Sequence, residues 1–141
     1  PPPPPRTPPR LLRRQRQMCI RDRKNPGRFK SVSAFAPICS PLNCPWGEKA
    51  LGNYLGSDRS AWAAHDSCEL MAAATEMLPM LVDQGGADGF LEEQLKPQLL
   101  EQAAQKVGYP LQLRIQDGYD HSYFFIASFI GEHIAFHAGQ L

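Results

Sequence analysis

Strand-like and helix-like stretches alternate through the second half of this chain, and that alternation limits its fold more than any other feature. Met77-Leu78-Pro79-Met80-Leu81-Val82 is an apolar run of strand length, closed by the polar stretch Asp83-Gln84-Gly85-Gly86. From Phe90 to Lys106, Leu91, Leu95, Leu99, Leu100 and Ala103 fall near helical spacing, and Gly108 is a natural stop. Leu111 to Ile115 then alternates apolar with polar, as a half-buried strand does. Phe125, Ile126, Phe129, Ile130, Ile134 and Phe136 follow at the spacing of an amphipathic helix running to about Ala138. Strands alternating with helices predict a parallel sheet covered on both faces.

The earlier residues extend the pattern. Ser31 to Ile38 is a run of small and β-branched residues that suits a strand covered on both sides. A mostly polar excursion follows it, with a short helix expected within Trp46–Leu55 and a helix-and-loop segment from Ser60 to about Leu70. Three strands are few for a free-standing sheet of this kind. The fold class expected is therefore α/β, as the later portion of a larger domain.

Residues 1–23 are a different kind of sequence. They carry seven arginines against Asp22 alone, and seven of the 14 prolines lie in the first nine positions. Residues 24–141 hold eight basic and thirteen acidic residues, so a net charge of +1 conceals a basic end joined to an acidic body. The segment is read as extended and solvated, or as a non-native junction. No aromatic residue interleaves the arginines and no nucleic-acid-binding fold follows, so no nucleic-acid partner is expected. No apolar run is long enough to span a membrane, and the N-terminus has no secretory h-region. Cys19, Cys39, Cys44 and Cys68 form no disulfide framework and no zinc-ligand spacing, which favours a reducing, cytoplasmic setting.

In open α/β sheets, active groups gather on loops past the carboxyl ends of the strands. Two such loops carry titratable candidates: Asp83 to Gly89, and Asp117 to Ser122 around His121. A carboxylate on the penultimate loop and a histidine on the last one is the order of acid and base in α/β-hydrolases. Asp88 and His121 leave room for one helix and one strand between them. A capping or surface histidine is the rival reading for His121. Ser122 is expected to cap the last helix, and Asp120 to fix the loop. His133 and His137, four apart, read as the polar flank of that helix. A G-x-S-x-G elbow occurs nowhere in the sequence, so an activated serine is missing from the set.

Lys24-Asn25-Pro26-Gly27, Lys30 to Cys39, Asn43 to Gly47, Tyr54-Leu55-Gly56, Asp83-Gln84-Gly85, Asp88 to Leu91 and Gly118 to Tyr123 together resemble the S-formylglutathione hydrolase (esterase D) family, over residues 24–141 in continuous order. The resemblance implies the C-terminal part of an α/β-hydrolase fold and a cytoplasmic serine hydrolase. Such an enzyme cleaves S-formylglutathione to glutathione and formate, and small esters besides, without metal or organic cofactor and often as a homodimer. It puts the acid on Asp88 and the base on His121, and it offers Trp46 and Tyr119 as substrate-binding walls. Plain aromatic packing is the competing role for those two. Asp83 competes as the acid but directly ends the strand, where it would tie down the turn. The family's serine elbow belongs just upstream of Lys24, where this chain has its arginine-rich stretch. The chain taken alone is therefore expected to be a catalytically inactive fragment.

Overall fold

The computed structural model describes Asn25 and residues 27–141. The expectation for the Pro/Arg-rich segment lies outside these residues. Three strands, β1 (Val32–Phe35), β2 (Met80–Gly85) and β3 (Leu111–Gln116), form one sheet in the order β1-β2-β3, with both pairings parallel. Val32 lies opposite Met80, and Met80 opposite Leu111. Between β1 and β2 run the helices α1 (Pro45–Leu55), α2 (Arg59–Trp62) and α3 (Ser67–Ala72). α4 (Pro97–Val107) connects β2 to β3, and α5 (Tyr123–Ala138) follows β3. The expected alternation is present, in the all-parallel form that crossover connections impose.

The central strand explains the core. All six residues of β2 are buried, and Val32, Cys39, Met71, Leu78, Leu100, Ala104 and Tyr109 pack in one cluster with its Met80 and Val82. Burying apolar surface on both faces of a central parallel strand is the main favourable term here. Among the described residues the outer edge of β1 pairs with no strand. Tyr123, Phe124, Ile130 and Ile134 of α5 are exposed although apolar.

Several boundaries differ from the sequence reading: β1 is shorter than Ser31–Ile38, β2 starts at Met80 and not Met77, and two further differences have a clear physical cause. β2 continues through Gly85, so Asp83 and Gln84 are strand residues and not loop residues. Both can be buried because polar partners reach them, chiefly Arg114 on β3 for Asp83 and the Pro37 carbonyl for Gln84. The helix expected over Phe90–Lys106 is broken: a π-turn spans Leu91–Leu95, Lys96 is left-handed at φ 48°, and α4 starts at Pro97. Pro97 has no N–H to donate and disfavours helical backbone in the residue before it, which forces the break. Gly108, at φ 66°, ends α4 as expected.

The excursion is tied down by Asp66. Its fully buried carboxylate caps α3 through the N–H groups of Cys68 and Glu69, and accepts from Ser40 Oγ and the Leu42 N–H.

Candidate active site

The ends of β2 and β3 deliver two adjacent loops. After β2, the Gly86 N–H donates to the Gln116 carbonyl, and the Ala87 N–H donates to the Tyr119 carbonyl. After β3, Asp117-Gly118 forms a tight turn with Gly118 at φ 74°, the left-handed backbone that suits glycine, before Ser122 opens α5. The two loops are thus laced together by backbone hydrogen bonds before any side chain is considered. Gly85 makes this possible, since a Cβ there would lie 2.4 Å from the Tyr119 carbonyl oxygen.

That lacing brings Asp88 and His121 together across 33 residues, with Asp88 Oδ2 2.7 Å from His121 Nδ1. The Asp88 side chain is fully buried, whereas 44% of the His121 side chain is exposed. The second carboxylate oxygen, Oδ1, accepts the Phe90 N–H at 2.8 Å. An ionised carboxylate can only accept, so Nδ1 carries the proton and Nε2 is left as the basic lone pair. Nε2 makes no hydrogen bond among the described residues. A histidine oriented through Nδ1 by a buried acid, with its other nitrogen left unbonded among the described residues, can act as a general base.

Aromatic rings border the imidazole. Phe90 meets it edge to face with centroids 5.5 Å apart, and Trp46 lies against Phe90 at 4.7 Å. Trp46 is held at the start of α1 by its N–H, which donates to the buried Gln94 side chain in the π-turn. Tyr119 goes elsewhere. Its ring packs on Phe124, Phe125 and Phe129 of α5, and its backbone carbonyl does the lacing. Helical spacing makes Phe90 read as no more than the first residue of a helix. The signal that could single it out is Asp88-Gly89-Phe90, the spacing at which an aspartate accepts the N–H two residues on.

Four expectations about neighbouring residues are corrected. His133 is buried, not on a polar flank: its Nε2 donates to Asp83 Oδ2 at 3.0 Å, and its ring stacks on Phe35. His137 bonds to the hydroxyls of Ser31 and Ser33, at 2.7 and 2.9 Å. The helix face carrying both histidines turns toward β1 and β2, and polar groups on those strands receive them. Ser122 occupies the N-cap position of α5 but makes no side-chain cap bond. Asp120 is exposed and makes no side-chain hydrogen bond among the described residues. Asp83 is engaged within the sheet: Arg114 Nε and Nη2 each donate to it at 2.6 Å, and Gln116 adds a third donor side chain. Burial alone would raise the Asp83 carboxyl, but the bonds from Arg114, His133 and Gln116 outweigh it and hold it below its ordinary value. Burial pushes His133 down, only partly offset by its bond to Asp83.

A parallel sheet flanked by helices, with an acid and a histidine on neighbouring strand-end loops, defines an α/β fold of the hydrolase type. Residues 20–136 match the Esterase family model, and the chain belongs to that family. It is 49% identical over 119 residues to an S-formylglutathione hydrolase of Arabidopsis thaliana, covering 84% of this chain and 42% of that protein. A solved S-formylglutathione hydrolase from Agrobacterium tumefaciens superposes with a TM-score of 0.83 at 47% identity, over 87% of this chain and 44% of that one. Esterase B from Lactobacillus rhamnosis, 15% identical with a TM-score of 0.59 over 78% of this chain and 40% of its own, shares the fold alone. The chain therefore spans less than half the length of the S-formylglutathione hydrolases it matches. Among the described residues no helix is long and apolar enough to cross a membrane.

Proposed function

We propose that this chain supplies the acid, Asp88, and the base, His121, of a cytoplasmic serine hydrolase that cleaves S-formylglutathione to glutathione and formate. The observation that carries the reading is the 2.7 Å bond from His121 Nδ1 to a fully buried carboxylate, which leaves Nε2 open. The 49% identity to an S-formylglutathione hydrolase supports the substrate. The serine is proposed to lie in sequence beyond these 141 residues, which contain no elbow motif. His121 Nε2 takes the proton of that serine as its oxygen attacks the formyl carbon. The carbon–sulfur bond breaks, and the glutathione sulfur leaves with the proton that His121 returns. Water then attacks the formyl ester as His121 takes its proton; the bond between the formyl carbon and the serine oxygen breaks, formate leaves, and the proton passes from His121 to the serine oxygen. Asp88 keeps the imidazole in the competent tautomer and offsets its transient charge. Trp46, next to Phe90, is proposed as a wall of the substrate site. Tyr119, engaged with α5, is assigned to packing.

The experiment is to join residues 25–141 to the N-terminal portion of the Agrobacterium enzyme and assay S-formylglutathione hydrolysis. Activity is expected, with a loss on the order of 10⁴-fold for His121→Ala. Undiminished turnover in that variant would overturn the assignment.

A second reading concerns the chain by itself as a catalytically inactive portion of the enzyme. The edge of β1, which pairs with no strand among the described residues, and the exposed apolar residues of α5 favour it, because both are surfaces that a larger domain would cover. Esterase turnover by the purified 141-residue chain would refute it.

A further inference from the structure

We infer that Phe90 is a positioning residue for His121, acting on the acid–base pair from both ends. The inference rests on the proposed roles of Asp88 and His121. The Phe90 N–H fixes Asp88 Oδ1 at 2.8 Å, which aims the other oxygen at the histidine. Its ring meets the imidazole at 90° with centroids 5.5 Å apart. Among the described residues, Asp88 supplies the hydrogen bond to His121 and Phe90 supplies its ring contact. A single hydrogen bond leaves a side chain as exposed as His121 free to swing and exchange its acceptor for water. A perpendicular aromatic contact restricts that swing by fixing the ring plane.

The neighbours of Phe90 hold it in that place. Phe90 is 40% exposed and Trp46, behind it, 41%. Phe125, by contrast, lies in the core at 1%. Phe90 instead stands at the surface between Trp46 and His121. The π-turn that begins just after it, and the Trp46 N–H bond to Gln94 in that turn, hold it there.

The test uses the chain labelled with ¹⁵N-histidine, and reads the ratio of Nδ1–H to Nε2–H tautomers of His121 from the ring nitrogen shifts. Phe90→Ala retains the backbone N–H to Asp88 and removes the ring. The ratio is expected to fall about two- to tenfold, the size of one aromatic pair contact. Phe90→Tyr should restore it, and Phe90→Leu, which keeps apolar bulk, should not. The His133 resonance, whose imidazole donates from Nε2 to Asp83, reports within each sample that the fold is intact. An unchanged ratio in Phe90→Ala, beside a collapsed ratio in Asp88→Asn, would overturn the role of Phe90 and leave the acid–base pair standing. An unchanged ratio in Asp88→Asn as well would overturn the pair itself, and this inference with it.

Discussion

The carbonyl oxygen of Tyr119 sits so close to Gly85 that a Cβ added at Gly85 would lie 2.4 Å from it. The same carbonyl accepts the Ala87 N–H, so one peptide group of the histidine loop locks the aspartate loop in place. Gly85→Ala must push these loops apart, and the obstacle is backbone that cannot rotate away. The expected cost is about 1–3 kcal/mol in urea unfolding, with a weaker Asp88–His121 bond seen in the His121 ring nitrogen shifts. Gly89→Ala is the control: it lies on the same loop, and a Cβ there would meet nothing within 4 Å. It should leave both measurements nearly unchanged.

His133 and Asp83 make stability depend on pH in one direction. Burial keeps His133 neutral in the folded protein, while the unfolded chain takes up a proton near 6.5. The unfolded state therefore binds more protons, and stability falls as pH drops through that value toward the lower folded value. Arg114 and His137 add to the resistance against charging His133. Asp83 acts the same way at lower pH, because its carboxyl is held down by Arg114 and its contribution is lost below about 4. Unfolding free energies measured from about pH 7 to 5 should show a slope from His133 of up to about 1.4 kcal/mol per pH unit. His133→Phe should flatten that slope while lowering stability overall; an unchanged slope would show that His133 charges freely in the fold.

Asp66 organises the excursion between β1 and β2, joining its two halves through one buried carboxylate. Four donors converge on its carboxylate, from Ser40, Leu42, Cys68 and Glu69. Asp66→Ala removes the cap of α3 and strands buried donors, an expected loss of about 2–4 kcal/mol by thermal or urea unfolding. Asp66→Asn keeps acceptor capacity on one oxygen and should cost less. Equal stability of the alanine variant would mean that the segment is held by other contacts.

Much of the frame is legible in the residues. The period-2 run at Leu111 to Ile115, the apolar run ending at Val82 and the glycine after Val107 place two strands and a helix stop, because backbone periodicity and capping are local properties. The order of aspartate before histidine, on loops separated by one helix and one strand, picks out the two loops that hold Asp83, Asp88 and His121, and the family resemblance puts the acid on Asp88. The kink at Lys96 is also written in the chain, as the proline after it, but helical spacing on both sides masks it.

Which polar groups meet is a matter of packing. Asp83 and Asp88 are both aspartates near the same strand end, and although Asp83 directly follows the apolar run, nothing local names the partner of either. The strand continues to Gly85, so Asp83 is drawn into the sheet beside Arg114 and His133, 31 and 50 residues away, while Asp88 emerges beside His121. His133 resembles a surface residue in the sequence because helical spacing gives its position on the helix but not which face packs inward. The elements, their order and the pair of loops follow from periodicity, caps and turn residues, all of which act within a few positions along the chain. The packed sheet alone brings distant side chains within hydrogen-bond reach, and so makes one aspartate structural and turns the other toward an open imidazole edged by Phe90.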